Sequence, residues 1–165
     1  KPVGRIYDEL DAAMVLTFRL RANPTKRIKP DTDPGRSNRL GKRVELRTEA
    51  DQLAWLRRKG EQCGFEVLSV RATTEHEAYR WERAAAIFGL EADKPEPVPD
   101  VRAIRGGKVY GRRADGKQMT FAAVTFDGLL RIVDVDRFRA ALVQGIGSAK
   151  AYGFGLLSIA PARSA

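Results

Sequence analysis

Four glycines crowd into the eleven residues from Gly145 to Gly155, within GIGSAKAYGFGLLSIAP, with Lys150 among them and an apolar run directly behind. A loop that only turns a corner needs one or two glycines. Four imply a backbone that something must approach closely, either a phosphate or another part of the protein. The flanking patterns narrow the choice of fold. Phe138, Leu142 and Val143 behind Asp136 predict a capped helix before the loop, and residues 152–159 predict a strand after it. Walker A and dinucleotide-binding loops run the other way, from strand into helix, so nucleotide binding of those types is disfavoured. Contact with a nucleic-acid backbone through peptide N–H groups and Lys150 stays open beside tight helix–strand packing.

Upstream, MVLTFRLRA (residues 14–22) alternates apolar with Thr17, Arg19 and Arg21, a strand with one basic edge, and ends at the breaker Asn23-Pro24. A basic, Pro- and Gly-containing stretch to about residue 42 reads as a linker between two units. RVELR, residues 43–47, predicts a short strand. Thr48 with Asp51 then resembles a capping box for a helix whose stripe is Leu53, Trp55, Leu56 and Cys63, stopped by Gly64. FEVLSVRAT predicts the next strand. In TEHEAYRWERAAAIFGLEADKPEPVPD the middle reads as either a short helix or an irregular strand, and KPEPVPD as an extended Pro-rich spacer. Residues 101–135 show β patterning with turn signals at Gly106-Gly107, Asp115-Gly116 and Asp127-Gly128. From Arg43 onward the order is β-α-β-β-α-β, the α+β, ferredoxin-like (RRM-like) arrangement. That fold serves many functions and decides none.

Charge distribution says more. The chain carries 30 Lys and Arg against 21 Asp and Glu, a net charge of +9, which suits a polyanionic partner. Half of the basic residues lie between Arg19 and Arg43 or between Arg102 and Lys117. In the second stretch KVYGRRADGKQMTF predicts a hairpin with basic side chains on both arms. Such a ribbon can lie in a nucleic-acid groove, or can be an edge hairpin charged against aggregation. Catalytic signals are weak. His76, the sole histidine, sits between Glu75 and Glu77, a surface pattern; no Cys or His cluster suggests zinc, and no serine has a histidine partner. The lone Cys63 forms no internal disulfide, pointing to a reducing cytoplasm. No apolar stretch reaches membrane-spanning length.

The set FRLRANPTKR, GKRVEL, QLAWLRRKG, VTFDGLLRIVD and GIGSAKAYGFGLLSIAP, in that order, resembles the C-terminal part of the CasE family from about Thr17 to Pro161. These are the CRISPR repeat-processing endoribonucleases of the Escherichia-type (type I-E) Cascade complex. Residues 75–101 depart from the family pattern. The resemblance implies two ferredoxin-like domains. Residues 1–27 would be the remnant of the first, with its last strand at about 14–22. Residues 28–42 would be a basic linker and 43–161 the second domain. It also implies metal-independent cutting of precursor RNA at the repeat stem-loop, with no cofactor, and retention of the product among the other Cascade subunits.

The family's catalytic histidine has no counterpart here and is expected upstream of residue 1; His76 is no substitute. The residues expected at the RNA are Arg19, Arg21, Lys26 and Arg27 upstream, and Lys108, Arg112, Arg113 and Lys117 on the hairpin. Gly145, Gly147, Lys150 and Gly153 of the loop complete the set. The rival readings are a non-catalytic RNA-binding module of the same fold and a basic ribosome-type structural protein. The first lacks a matched aromatic pair for base stacking, and the second leaves the ordered motifs unexplained.

Overall fold

A computed structural model describes residues 9–28, 42–70 and 98–162. Strand β1 (Val15–Ala22) leads to a two-stranded ribbon of β2 (Thr25–Ile28) and β3 (Lys42–Glu45), then helix α1 (Glu49–Cys63) and β4 (Phe65–Val67). A small pair, β5 (Ser69–Val70) and β6 (Val98–Pro99), precedes the long hairpin β7 (Val101–Arg112) and β8 (Gln118–Ile132). Helix α2 (Val135–Gln144), a 3-10 turn at Lys150–Tyr152 and strand β9 (Leu157–Pro161) complete the order. The main sheet runs β4-β8-β1-β9, antiparallel throughout, with β7 also paired to β8.

The alternation in β1 fixes the two faces of this sheet. Leu16, Phe18, Leu20 and Ala22 are buried, while Thr17, Arg19 and Arg21 point to the other side. Trp55 of α1 stacks on Phe126 of β8 with centroids 6.0 Å apart, and Phe138 of α2 meets Phe65 edge-on at 6.0 Å. Both helices thus cover the even-numbered face of β1.

Local chemistry places the helix ends. The Thr48 hydroxyl accepts from the Asp51 N–H at 3.1 Å, and Gly64 ends α1 in the left-handed region at φ +75°. For α2 the cap is Asp134 rather than Asp136: its carboxylate accepts from the Arg137 N–H, and Asp136 lies in the first turn. Phe138 and Leu142 are buried as expected, but Val143 is 82% exposed.

Strand β1 lies between β8 and β9, with Phe18 opposite both Gly128 and Ile159. At the bounds of the expected linker, Ile28 pairs with Lys42. The expected turns change. Of the three turn signals only Asp115-Gly116 is a turn. Gly106-Gly107 is a register shift within β7, and Asp127-Gly128 lies mid-strand. A side chain at Gly128 would stand 2.4 Å from the Asp100 carbonyl, so this glycine admits a neighbouring backbone. His76 and the rest of 71–97 lie outside the described residues.

Candidate nucleic-acid interface

The tip of the β7–β8 hairpin closes through the Arg113 N–H to the Lys117 carbonyl at 3.0 Å and the Gly116 N–H to Arg113 at 2.9 Å. Gly116 takes φ +80°, which a glycine after aspartate supplies without strain. Arg112, Arg113 and Lys117 are exposed around this turn. Lys108, farther down the same arm, is engaged: its ammonium binds the Glu45 carboxylate of β3. That bond holds the Glu45 carboxyl below its ordinary range. Lys108 therefore ties the ribbon to the hairpin, a role its spacing in the sequence does not reveal.

The glycine loop rests on this hairpin. Tyr152 packs on Phe121 with centroids 4.7 Å apart, and Phe154 lies 5.8 Å from the same ring. Phe121, Ala123 and Phe154 form a second small core, joined by Val109, Met119, Ala149 and Tyr152. Gly111 of β7 makes room for it, since a side chain there would fall 2.4 Å from the Tyr152 ring. Arg21 stacks over Phe154 at 5.1 Å, and its carbonyl accepts from the Gly155 N–H at 2.7 Å. Its basic head is thus held against the loop.

The four glycines separate into two kinds. A side chain at Gly145 would meet the Gly155 carbonyl at 2.9 Å, and one at Gly155 would meet the Ile146 carbonyl at 2.7 Å. At Gly147 it would stand 3.0 Å from the buried Trp55 indole. Those three serve close packing within the protein. Gly153, exposed and at φ +78°, has open space where a side chain would point. Lys150 is exposed in the adjoining 3-10 turn.

Arg19, on the open face, forms a two-point ion pair with Asp127 at 2.6 and 3.1 Å, which raises its pKa further. Lys26 and Arg27 are exposed on β2, in the ribbon. The twelve expected residues are therefore not one surface. The hairpin tip, the Gly153–Lys150 edge and the ribbon present basic groups, while Lys108 and Arg19 are bound to carboxylates. Among the described residues no group of three or more His, Cys, Asp or Glu could hold a metal ion, and no helix is long and apolar enough to cross a membrane. Cys63 is half-buried, and burial pushes its thiol pKa up.

A mixed α/β unit, with an antiparallel sheet extended into a basic hairpin, is the class these observations define. The family model described as CRISPR associated protein matches residues 1–161, and the chain belongs to that family. It is 38% identical over 160 residues to the CRISPR-associated endoribonuclease Cse3 of Thermus thermophilus, covering 97% of this chain and 62% of that protein. It is 34% identical over 155 residues to the CRISPR system Cascade subunit CasE of Escherichia coli, covering 93% and 61%. The structure of CRISPR endoribonuclease Cse3 bound to 19 nt RNA superposes with a TM-score of 0.64 at 34% identity, over 92% of this chain and 58% of that one. The chain thus spans less than two thirds of the length of each of these relatives.

Proposed function

We propose that this chain is the RNA-holding part of a CRISPR repeat endoribonuclease that stays with its product as a Cascade subunit. The observation that carries the reading is the exposed basic hairpin tip, Arg112, Arg113 and Lys117, braced from below by the glycine loop. The relatives' names add an RNA-bound endoribonuclease and a Cascade subunit to that geometry. The ligand is the stem-loop of a CRISPR repeat, gripped through its phosphates and groove edge by planar guanidinium groups. The chemistry is attack of a ribose 2′-OH on the adjacent phosphate, without a metal. The bond from the 2′-oxygen to phosphorus forms a 2′,3′-cyclic phosphate as the bond to the 5′-oxygen of the next nucleotide breaks. An imidazole, which the described residues do not supply, takes the 2′-OH proton or gives one to the departing 5′-oxygen. In fold terms, β1-α1-β4-β8-α2-β9 with sheet order β4-β8-β1-β9 reads as a ferredoxin-like unit whose first strand is β1. The second domain therefore begins at β1, with the β2–β3 ribbon as an insertion.

The test is Arg112→Ala combined with Arg113→Ala, read by fluorescence anisotropy on a repeat stem-loop across a salt series. Each lost phosphate contact should lower the slope of log K against log salt by roughly 0.7–0.9, so the pair should lower it by about 1.5. An unchanged slope and affinity at moderate salt would assign the hairpin to solubility or protein contacts and sink the reading.

A further inference from the structure

Among the described residues every aromatic ring packs against another, with one exception, Tyr110. It lies on β7, two residues before Arg112, and is 65% exposed. Strand alternation turns it away from Val109 and Gly111, which face Tyr152 and the small core under the glycine loop, and onto the outer side of the hairpin. The register sets Lys108, Arg112, Gln118, Thr120 and Ala122 on that same side. Thr120 stands directly opposite Tyr110, so its cross-strand partner is too small to cover the ring. None of these neighbours is a carboxylate, and Glu45, which reaches the face from β3, is held by Lys108.

We propose that Tyr110 is a stacking platform for one unpaired nucleobase of the RNA held at the hairpin tip. The proposal rests on the RNA-holding reading above and adds a base contact to its contacts with phosphates and a groove edge. Bases inside a stem already cover one another's faces. An unpaired base in a loop, bulge or flank exposes its own, and an uncovered aromatic ring takes one of them. Tyr110 and Arg112 are two strand steps apart on one side, about 6.8 Å, so a nucleotide whose base lies on the ring brings its phosphate within reach of the Arg112 guanidinium. The cations at and just beyond this point, Arg112, Arg113 and Lys117, favour a polyanion over a protein surface as the occupant. Every base has a π-face, so the contact fixes where an unpaired base sits rather than which base it is.

The experiment measures anisotropy on a repeat stem-loop with its single-stranded flanks, over a salt series, for Tyr110→Ala and Tyr110→Phe. The alanine variant should bind roughly 5- to 100-fold more weakly with an unchanged salt slope, because stacking releases no counterions. The phenylalanine variant keeps the ring and should bind like the unmutated protein. At such exposure both should melt within about 4 °C of it. Abasic sites are then placed at the unpaired positions of the RNA, one at a time. One of them should weaken the unmutated protein by the same factor and cost Tyr110→Ala nothing more, while a different base at that position should cost less than the abasic site. Full affinity in Tyr110→Ala, a Phe variant as weak as Ala, or losses that add at every unpaired position overturn the stacking site. The hairpin reading still stands if Arg112→Ala with Arg113→Ala lowers the slope. Failure of the unmutated protein to bind this RNA overturns both.

Discussion

Gly147→Ala and Gly153→Ala add the same methyl group at similar backbone angles, φ +89° and +78°. The left-handed conformation alone should cost each variant about 1 kcal/mol. What differs is the neighbour. At Gly147 the new carbon would press on the Trp55 ring at 3.0 and 3.3 Å, and that indole is 3% exposed and stacked on Phe126. A ring so enclosed has nowhere to yield, and overpacking of this kind adds about 1–3 kcal/mol. At Gly153 nothing lies within 4 Å. The expected losses are therefore about 2–4 kcal/mol at Gly147 and about 1 at Gly153. For a chain of this size that means roughly 4–15 °C against 2–4 °C in melting temperature by calorimetry or circular dichroism. RNA affinity, measured where both variants are folded, should show the opposite order under the proposed RNA-holding role, because the Gly153 methyl projects into open space at the exposed loop edge. Equal melting temperatures would refute the Trp55 argument. Full RNA affinity in Gly153→Ala would remove the loop edge from the interface.

Three other outcomes follow from side-chain contacts. Lys108 lowers the Glu45 pKa, so the folded protein releases that proton at a lower pH than the unfolded chain does. The pair's contribution is complete above the ordinary Glu value of about 4.3 and is lost as pH falls through the lower folded value. Glu45→Gln should cost less than about 1 kcal/mol near neutral pH and nothing in strong acid, and a pH-independent difference in urea melts would contradict the assignment. Tyr152→Ala should cost about 1–3 kcal/mol by detaching loop from hairpin, while Tyr152→Phe should cost less than about 0.5, since its hydroxyl bonds are long at 3.5 and 3.7 Å. A Phe variant as damaged as Ala in thermal melts would put the weight on the hydroxyl instead. Asn23→Ala removes the acceptor of the Ala122 N–H, held at 3.2 Å, and should cost about 1–3 kcal/mol in denaturant unfolding. A neutral result there would mean that water replaces the amide.

The parts of this fold legible in the sequence are those governed by neighbours along the chain. Thr48 with Asp51, the Gly64 stop and the Asp115-Gly116 turn each act within a few residues, so their types declare them. The placement of β1 between β8 and β9 is a choice among partners more than a hundred residues away, and its alternating pattern fits an edge or a centre equally well. Asp127-Gly128 read as a turn because the same dipeptide satisfies two demands. Here Asp127 binds Arg19 and Gly128 admits the backbone of Asp100. At the candidate interface the charge clusters were legible, but not which charges were already engaged. The partners of Lys108 and Arg19 lie 63 and 108 residues distant.

Asn23 and Pro24, a chain breaker by type, form a buried corner where three elements meet. The Asn23 side chain accepts from Ala122 on the hairpin, its carbonyl accepts from the Ser148 hydroxyl of the loop, and the Pro24 carbonyl accepts from the Leu46 N–H just past the ribbon. Hairpin, loop and ribbon are thereby fixed to one another before any ligand arrives. The conformational entropy of arranging these basic surfaces is lost when the chain folds, not when it binds. Encounter then becomes the docking of two shapes already formed, with long-range charge setting its rate and little rearrangement to slow it.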